Sequence, residues 1–227
     1  MRAYVGDTQP ETQGLELDLP LVSEDGSSVA LTVRFKGNLH EGETLEEIRV
    51  FATRNPYQPV IDFRLSEAIT RAEFSTRIRL AETQYVHAVA RSSEERKWVT
   101  SREVRVTVSG CLMDADDAGE RTMSNPRVAL GSNARQGEPV PIRTLINHPM
   151  ETGLREGEPA PDVKQQLVET LTVNQGEAQL FQARFHTGTS ANPYVQFHLT
   201  PEQPGDLEFV WRDQNGDAVR QTEPLQF

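Results

Sequence analysis

The sequence predicts an all-β protein, two immunoglobulin-like β-sandwich domains joined by a flexible acidic linker. Three observations carry that expectation. Short apolar runs alternating in period two recur through the first half of the chain and again through the second, the spacing that turns one face of a strand to a core and the other to water. Turn residues punctuate these runs at short intervals, as they do in sandwiches. Between the two sets, residues 112–125 show neither alternation nor apolar weight. With 227 residues, the chain is long enough to bury two cores.

The first half is read as an N-terminal extension, residues 1–14, followed by a sandwich over residues 15–111. Leu15, Leu17 and Leu19 alternate with Glu16 and Asp18 until Pro20 limits the run. After the turn residues Glu24-Asp25-Gly26, Val29, Leu31, Val33 and Phe35 alternate with Ala30, Thr32 and Arg34. Ile48, Val50 and Ala52 repeat the pattern ahead of the turn signal Asn55-Pro56. Further strands are expected over residues 60–65, 74–80 and 85–90. The last, Glu103-Val104-Arg105-Val106-Thr107-Val108, alternates cleanly and points at Cys111. No amphipathic helix is expected in this half.

Residues 112–125 form the linker. Leu112-Met113-Asp114-Ala115-Asp116-Asp117-Ala118-Gly119-Glu120-Arg121 holds four acids, one base and a glycine, an exposed composition. The second sandwich spans residues 126–227. Strands are expected over residues 127–130, 140–146, 179–185 and 194–199, and residues 163–171 read as a helical turn or a loop leading into a strand. The closing pair, Leu207-Glu208-Phe209-Val210-Trp211 and Ala218-Val219, flanks Asn215-Gly216. That dipeptide is the strongest short hairpin signal, because both residues tolerate positive φ. Asn-Pro-Tyr occurs once in each half, at residues 55–57 and 192–194.

Composition narrows the function. Hydrophobic residues make up 36% and charged residues 25% of the chain, which is a soluble globular balance. No apolar run approaches the roughly 18 residues of a membrane span. The formal net charge is −11 with no cluster of Lys or Arg, so nucleic acid and anionic membranes are excluded as partners and a basic protein is favoured. Met1-Arg2-Ala3-Tyr4-Val5-Gly6-Asp7 lacks the apolar stretch of a signal peptide. No phosphate loop, nucleophile elbow or paired-carboxylate motif is present, so no catalytic machinery and no cofactor are expected.

Cys111 is the one cysteine, which rules out an internal disulfide. It follows Ser109-Gly110 at the end of a well-patterned strand and precedes Leu112-Met113 at the start of the linker. Position alone fits either an inert thiol at the sandwich rim or an exposed thiol on a mobile arm. The neighbouring carboxylates raise a thiol's pKa above its usual value of about 8.5, so such a thiol relies on a partner for activation. Asp114, Asp116, Asp117 and Glu120 fail as a calcium loop. With Asp114 at position one, Gly119 falls at the turn but Asn125 stands where the bidentate Glu belongs. His40, His87, His148, His186 and His198 show no metal spacing. Met113, Met123 and Met150 do not converge in sequence as a soft copper site requires, so no metal is expected.

Specific runs add a family resemblance. Leu15-Glu16-Leu17-Asp18-Leu19-Pro20, Asn55-Pro56, Phe74-Ser75-Thr76-Arg77-Ile78-Arg79 and Val104-Arg105-Val106-Thr107-Val108-Ser109-Gly110-Cys111 resemble SoxY, the sulfur-carrying subunit of the thiosulfate-oxidising Sox system. Pro126-Arg127-Val128, Ile146-Asn147-His148-Pro149-Met150-Glu151-Thr152-Gly153, Ser190-Ala191-Asn192-Pro193-Tyr194 and Trp211-Arg212-Asp213 resemble its partner subunit SoxZ. The matches run through nearly all of residues 15–227. They look most like the fused SoxYZ-like carriers associated with quinoprotein dehydrogenases.

The resemblance implies two immunoglobulin-like sandwiches and a periplasmic home reached with a leader absent from this sequence. It also implies a cysteine arm, Ser109, Gly110, Leu112 and Met113 around Cys111, on which a sulfur compound rides covalently between partner enzymes, a PQQ-dependent quinoprotein dehydrogenase among them. The family's cysteine lies in a Gly-Gly-Cys-Gly-Gly tail at a free C-terminus. Here only Gly110 of those glycines is present, and the chain continues beyond it into the second half. An arm held at both ends enters a narrow channel only as a hairpin, so thiosulfate is not fixed as the cargo. His148 and Met150 are expected to shape a proline turn, the imidazole bonding to backbone, and Tyr194 and Trp211 to serve core or interface. Two rival readings stay open: a non-catalytic periplasmic adaptor for a quinoprotein dehydrogenase, and a thiol redox sensor.

Overall fold

The computed structural model describes residues 9–108, 122–132, 134–155 and 158–227. It is all-β. The first half contributes β1 (Leu15–Asp18), β2 (Val22–Ser23), β3 (Val29–Phe35), β4 (Leu45–Ala52), β5 (Pro59–Leu65), β6 (Glu73–Ile78), β7 (Gln84–Ser92) and β8 (Lys97–Val106). The second contributes β9 (Ser124–Leu130), β10 (Val140–Asn147), β11 (Leu154–Arg155), β12 (Glu158–Pro159), β13 (Val168–Gln175), β14 (Ala178–Phe185), β15 (Tyr194–Leu199), β16 (Gly205–Asp213) and β17 (Ala218–Leu225).

Each half is a sandwich, and the two are joined through both of their sheets. The larger sheet runs β17-β16-β13-β14-β5-β4-β7-β8-β2 and the smaller β1-β3-β6-β15-β10-β9. β14 pairs with β5, setting Ala183 opposite Phe63 and Arg184 opposite Asp62. β15 pairs with β6, setting Val195 opposite Thr76. Four strands that would otherwise be exposed edges thereby satisfy each other's backbone groups.

The interior of this join is aromatic. Phe63 and Phe74 from the first half stack at 4.7 Å, Phe181 and Phe197 from the second at 4.1 Å, and Phe74 meets Phe181 at 5.8 Å across the seam. All four are buried, and each contributes about 1.5–3 kcal/mol by leaving water. The expected periodicity holds: β1 and β3 bury alternate side chains, Val33 fully. The Asn215-Gly216 hairpin forms as expected between β16 and β17, with Gly216 at φ 90 and both Asn215 and Asp217 N–H groups donating to the Asp213 carboxylate.

Two elements extend the sequence reading. β8 begins at Lys97, six residues before its clean alternation, because Trp98 is drawn into the core beneath Phe35 at 4.9 Å. Residues 163–167 are the loop of the two alternatives offered for residues 163–171, and the strand they lead into is β13.

Candidate functional site: the arm end of the sandwich

Strand directions place the end of β8, the starts of β7, β5, β13, β3 and β15 and the ends of β6, β10 and β14 at one end of the sandwich. The chain enters residues 109–121 from this end and β9 starts again from it. Ser109, Gly110, Cys111, Leu112 and Met113, the expected arm, lie outside the described residues, as do Asp114, Asp116, Asp117, Gly119 and Glu120. The described ends of that segment are Val108 and Thr122. β1, which packs by β8, and β9 are the two margins of the smaller sheet, five strand spacings or about 24 Å apart.

The root on the first margin is firmly tied. The Arg105 N–H donates to the Leu21 carbonyl at 3.0 Å, the Thr107 N–H to the Ser23 carbonyl at 3.1 Å and the Gly26 N–H to the Val108 carbonyl at 2.9 Å. The Thr107 hydroxyl adds a bond to the Glu24 carbonyl. Gly26 passes the connection inward, its carbonyl accepting from the Leu80 N–H at 2.8 Å.

Beside Leu80 the motif residues of both halves converge. Asn55 is buried; its amide donates to the Arg79 carbonyl and its side-chain oxygen accepts from Ala81 N–H and the Gln84 amide. Arg79, 4% exposed, reaches across the seam to donate to the carbonyls of Met150 at 2.6 Å and Pro149 at 2.9 Å. The Arg79 N–H meets the Gly188 carbonyl, and the Ser190 hydroxyl donates to the Ser27 carbonyl at 2.8 Å. Gly188 packs so closely on β5 that an added Cβ would stand 2.8 Å from a Val60 methyl.

Each residue of the His148-to-Gly153 run has a structural task. The His148 Nδ1 accepts from the Met150 N–H at 3.0 Å, as the sequence reading expects, and the His148 N–H donates to the Asn192 side-chain oxygen. Met150 is fully buried at a positive φ of 54, its sulfur 3.3 Å from the Val168 N–H. The Glu151 carboxylate takes the Gly153 N–H and the Arg155 guanidinium. Burial raises its pKa, and the Arg155 and Gly153 bonds with the Arg155 and Arg79 charges outweigh burial and hold it below the usual range. Tyr194 lies under the Arg77 guanidinium, 5.7 Å from the ring centre, and Trp211 is in the core.

A cleft of about 380 Å³ opens on the same end, with Tyr57 and Pro59 from the first half facing Gln165, Leu167, Arg184 and His186 from the second. His186 Nε2 lies 3.1 Å from the Asp62 carboxylate. Among the described residues one trio could group around a cation: His40, Glu43 and Glu94, at the opposite end. Arg96 already occupies that place. Its guanidinium bonds the Glu43 carboxylate at 2.7 Å and Glu11 at 2.6 Å. Burial pushes the Glu43 pKa up, but bonds from the His40 N–H and Arg96, with the Arg96 charge, hold it lowered.

In the sequence, Arg79 closes the Phe74-to-Arg79 motif with no sign of its task. Its signal was the motif alone, since alternation from Phe74 through Ile78 to Leu80 turns Arg79 away from the core.

Comparison with known families agrees with this geometry. The family model described as "Sulfur oxidation protein SoxY" matches residues 1–111, and the one described as "Sulphur oxidation protein SoxZ" matches residues 128–224. The chain joins a SoxY domain to a SoxZ domain. The SoxY half thus delivers β8 and the segment carrying Cys111, and the SoxZ half supplies the carbonyls that Arg79 grips. Membership in these two families supports a carrier's part in sulfur oxidation.

Among solved structures, the sulfur carrier protein SoxY from Chlorobium limicola f thiosulfatophilum is 25% identical, covers 47% of this chain and 92% of its own, and superposes with a TM-score of 0.39. A superoxide reductase (neelaredoxin) from Ignicoccus hospitalis is 12% identical over 42% of this chain and 81% of its own, with a TM-score of 0.36. A search of curated proteins returns no match.

Proposed function

We propose that the chain carries a sulfur compound as a covalent adduct on Cys111 and presents it to partner periplasmic enzymes, a PQQ-dependent quinoprotein dehydrogenase among them. One observation carries the reading. The family motifs are scattered over both halves of the sequence, yet Asn55, Arg79, Met150 and Asn192 meet at the end from which β8 leads to the cysteine. Ser109, Gly110, Leu112 and Met113 form the arm, and the acidic linker after it returns the chain to the SoxZ half, where β9 takes over at Ser124.

The thiol needs outside help. Acids at residues 114, 116, 117 and 120 follow Cys111 within the linker, and negative charge disfavours thiolate. A partner that supplies positive charge at its entrance both attracts the arm and activates the sulfur.

The test is intact-mass analysis of the protein from its native cells, before and after reductant. A reducible extra mass mapped to Cys111, absent from a folded Cys111→Ser variant, is the expected result, and its size names the cargo. Unchanged loading in Cys111→Ser, or a bare thiol that resists alkylation in the folded protein, overturns the carrier reading.

A further inference from the structure

Large apolar side chains exposed on the described surface are six: Leu21, Val22, Tyr57, Tyr85, Val108 and Phe227. A single exposed apolar residue is ordinary, whereas a gathering of them marks an interaction surface. All but Phe227 lie at the arm end. Val22, 52% exposed, sits on the short β2 opposite Arg105, Leu21, 68% exposed, directly precedes it and accepts the Arg105 N–H, and Val108, 55% exposed, is tied to the turn that follows β2. Tyr85, 49% exposed, stands on the neighbouring strand opposite Glu103.

This margin is inseparable from the thiol. Cys111 follows Val108 by three residues, so its Cα stays within about 11 Å of Val108 whatever path the chain takes. Ser124, where β9 begins at the other margin, is thirteen residues away. Any enzyme that encloses the sulfur therefore touches the first margin before the second.

Building on the carrier reading, we propose that Leu21, Val22 and Val108, flanked by Tyr85, form the docking face for the partner enzyme that acts on Cys111. The occupant is a protein with an apolar centre inside a basic rim. The apolar part is matched by the exposed side chains. The basic part follows from charge: the chain carries −11, Glu24 and Asp25 stand on the turn tied to Val108, and Glu103 faces Tyr85, so acids outnumber Arg105, the base beside Val22. The same charge opposes a second copy of this chain, because two such faces repel. Tyr57, at the rim of the cleft, marks where the footprint reaches the seam.

The test measures the adduct on Cys111 in protein from native cells for wild type and for a Leu21→Lys, Val22→Lys double variant. Iodoacetamide labelling of the stripped proteins serves as the probe of intrinsic thiol access. Loading in the double variant is expected to fall about tenfold or more, as loss of a docking contact worth at least about 1.4 kcal/mol requires. Labelling and thermal midpoint should stay unchanged. Val108→Ser, which adds no charge, should lower loading in the same direction, and Phe227→Lys at the far end should leave it intact. Equal loading in wild type and double variant overturns the docking face while leaving the carrier reading standing. So does a fall of the same size in Phe227→Lys, or a wild-type dimer in sedimentation that the double variant dissolves, which assigns the face to self-association. Wild type that carries no adduct at all overturns the carrier reading itself.

Discussion

The two ends of the sandwich are both stitched across the seam between halves, but with different materials. At the far end, the Thr70 and Thr200 hydroxyls meet at 2.6 Å, the Thr200 N–H reaches the Ala68 carbonyl, and the Ser66 hydroxyl reaches the Leu180 carbonyl. These are neutral bonds, with Thr70 in water. At the arm end, a buried guanidinium grips two carbonyls and the turns around it hold backbone that L-residues rarely adopt. Among the described residues four non-glycine residues take a positive φ, with Asn125, Met150 and Asn192 at the arm end and Glu95 at the other. Backbone cost gathers where a structure is held for a task. The difference teaches that the arm end is shaped for more than closing the fold.

The interior between the ends sets the scale for breaking either. Phe74→Ala removes the ring that bridges Phe63 and Phe181 across the join. The expected loss is about 3–5 kcal/mol, a large share of a domain's total of about 5–15 kcal/mol. Denaturant midpoints measure it. A loss below about 1 kcal/mol would mean that strand pairing alone holds the halves together.

The comparison of ends sharpens with two substitutions of unequal size. Arg79→Met keeps the stem and deletes the guanidinium, stranding the buried Met150 carbonyl and the half-buried Pro149 carbonyl, at a cost of about 1.5–3 kcal/mol for charged bonds. Thr70→Val removes one neutral, half-buried hydroxyl pair at the far end and costs about 0.5–1.5 kcal/mol. Amide exchange should rise around residues 148–153 in the first variant and stay flat there in the second. Equal costs would erase the distinction between the ends.

Much of this fold was legible because period-two burial is local: Val29 to Phe35 shows its buried face in seven letters. The hairpin at Asn215-Gly216 was legible for the same reason. The continuity of the sheets was not. Edge pairing of β5 with β14 and β6 with β15 depends on residues more than a hundred positions apart, and a strand that will be covered by a partner reads like any other buried strand. At the site, Cys111 was visible as a lone thiol at a strand end and His148 as a turn former. Arg79 was not assigned, because its purpose is set by carbonyls 70 and 71 positions away. The exposed margin at Leu21 and Val22 was hidden too: an apolar pair after Pro20 looks like core until its neighbours are known.

The smallest expected effect separates the ends by pH. At the far end, burial lowers the His198 pKa, with the Arg71 charge acting in the same direction and Glu73 opposing. A depressed histidine is protonated more readily in the unfolded chain, so its stabilisation is present above the unfolded value of about 6.5 and is lost as pH falls through the folded one. Glu151 at the arm end is also depressed, despite burial, by Arg155, the Gly153 N–H and Arg79. Its contribution is present above its unfolded value of about 4.3 and disappears only below that. Titration from pH 7 to 4 should therefore loosen amides around His198 while the Gly153 amide stays protected, and the arm end should give way only at lower pH. Loss of Gly153 protection together with the His198 amides near pH 6 would show that the two ends open as one unit, and that the arm's footing is no firmer than the rest of the sandwich.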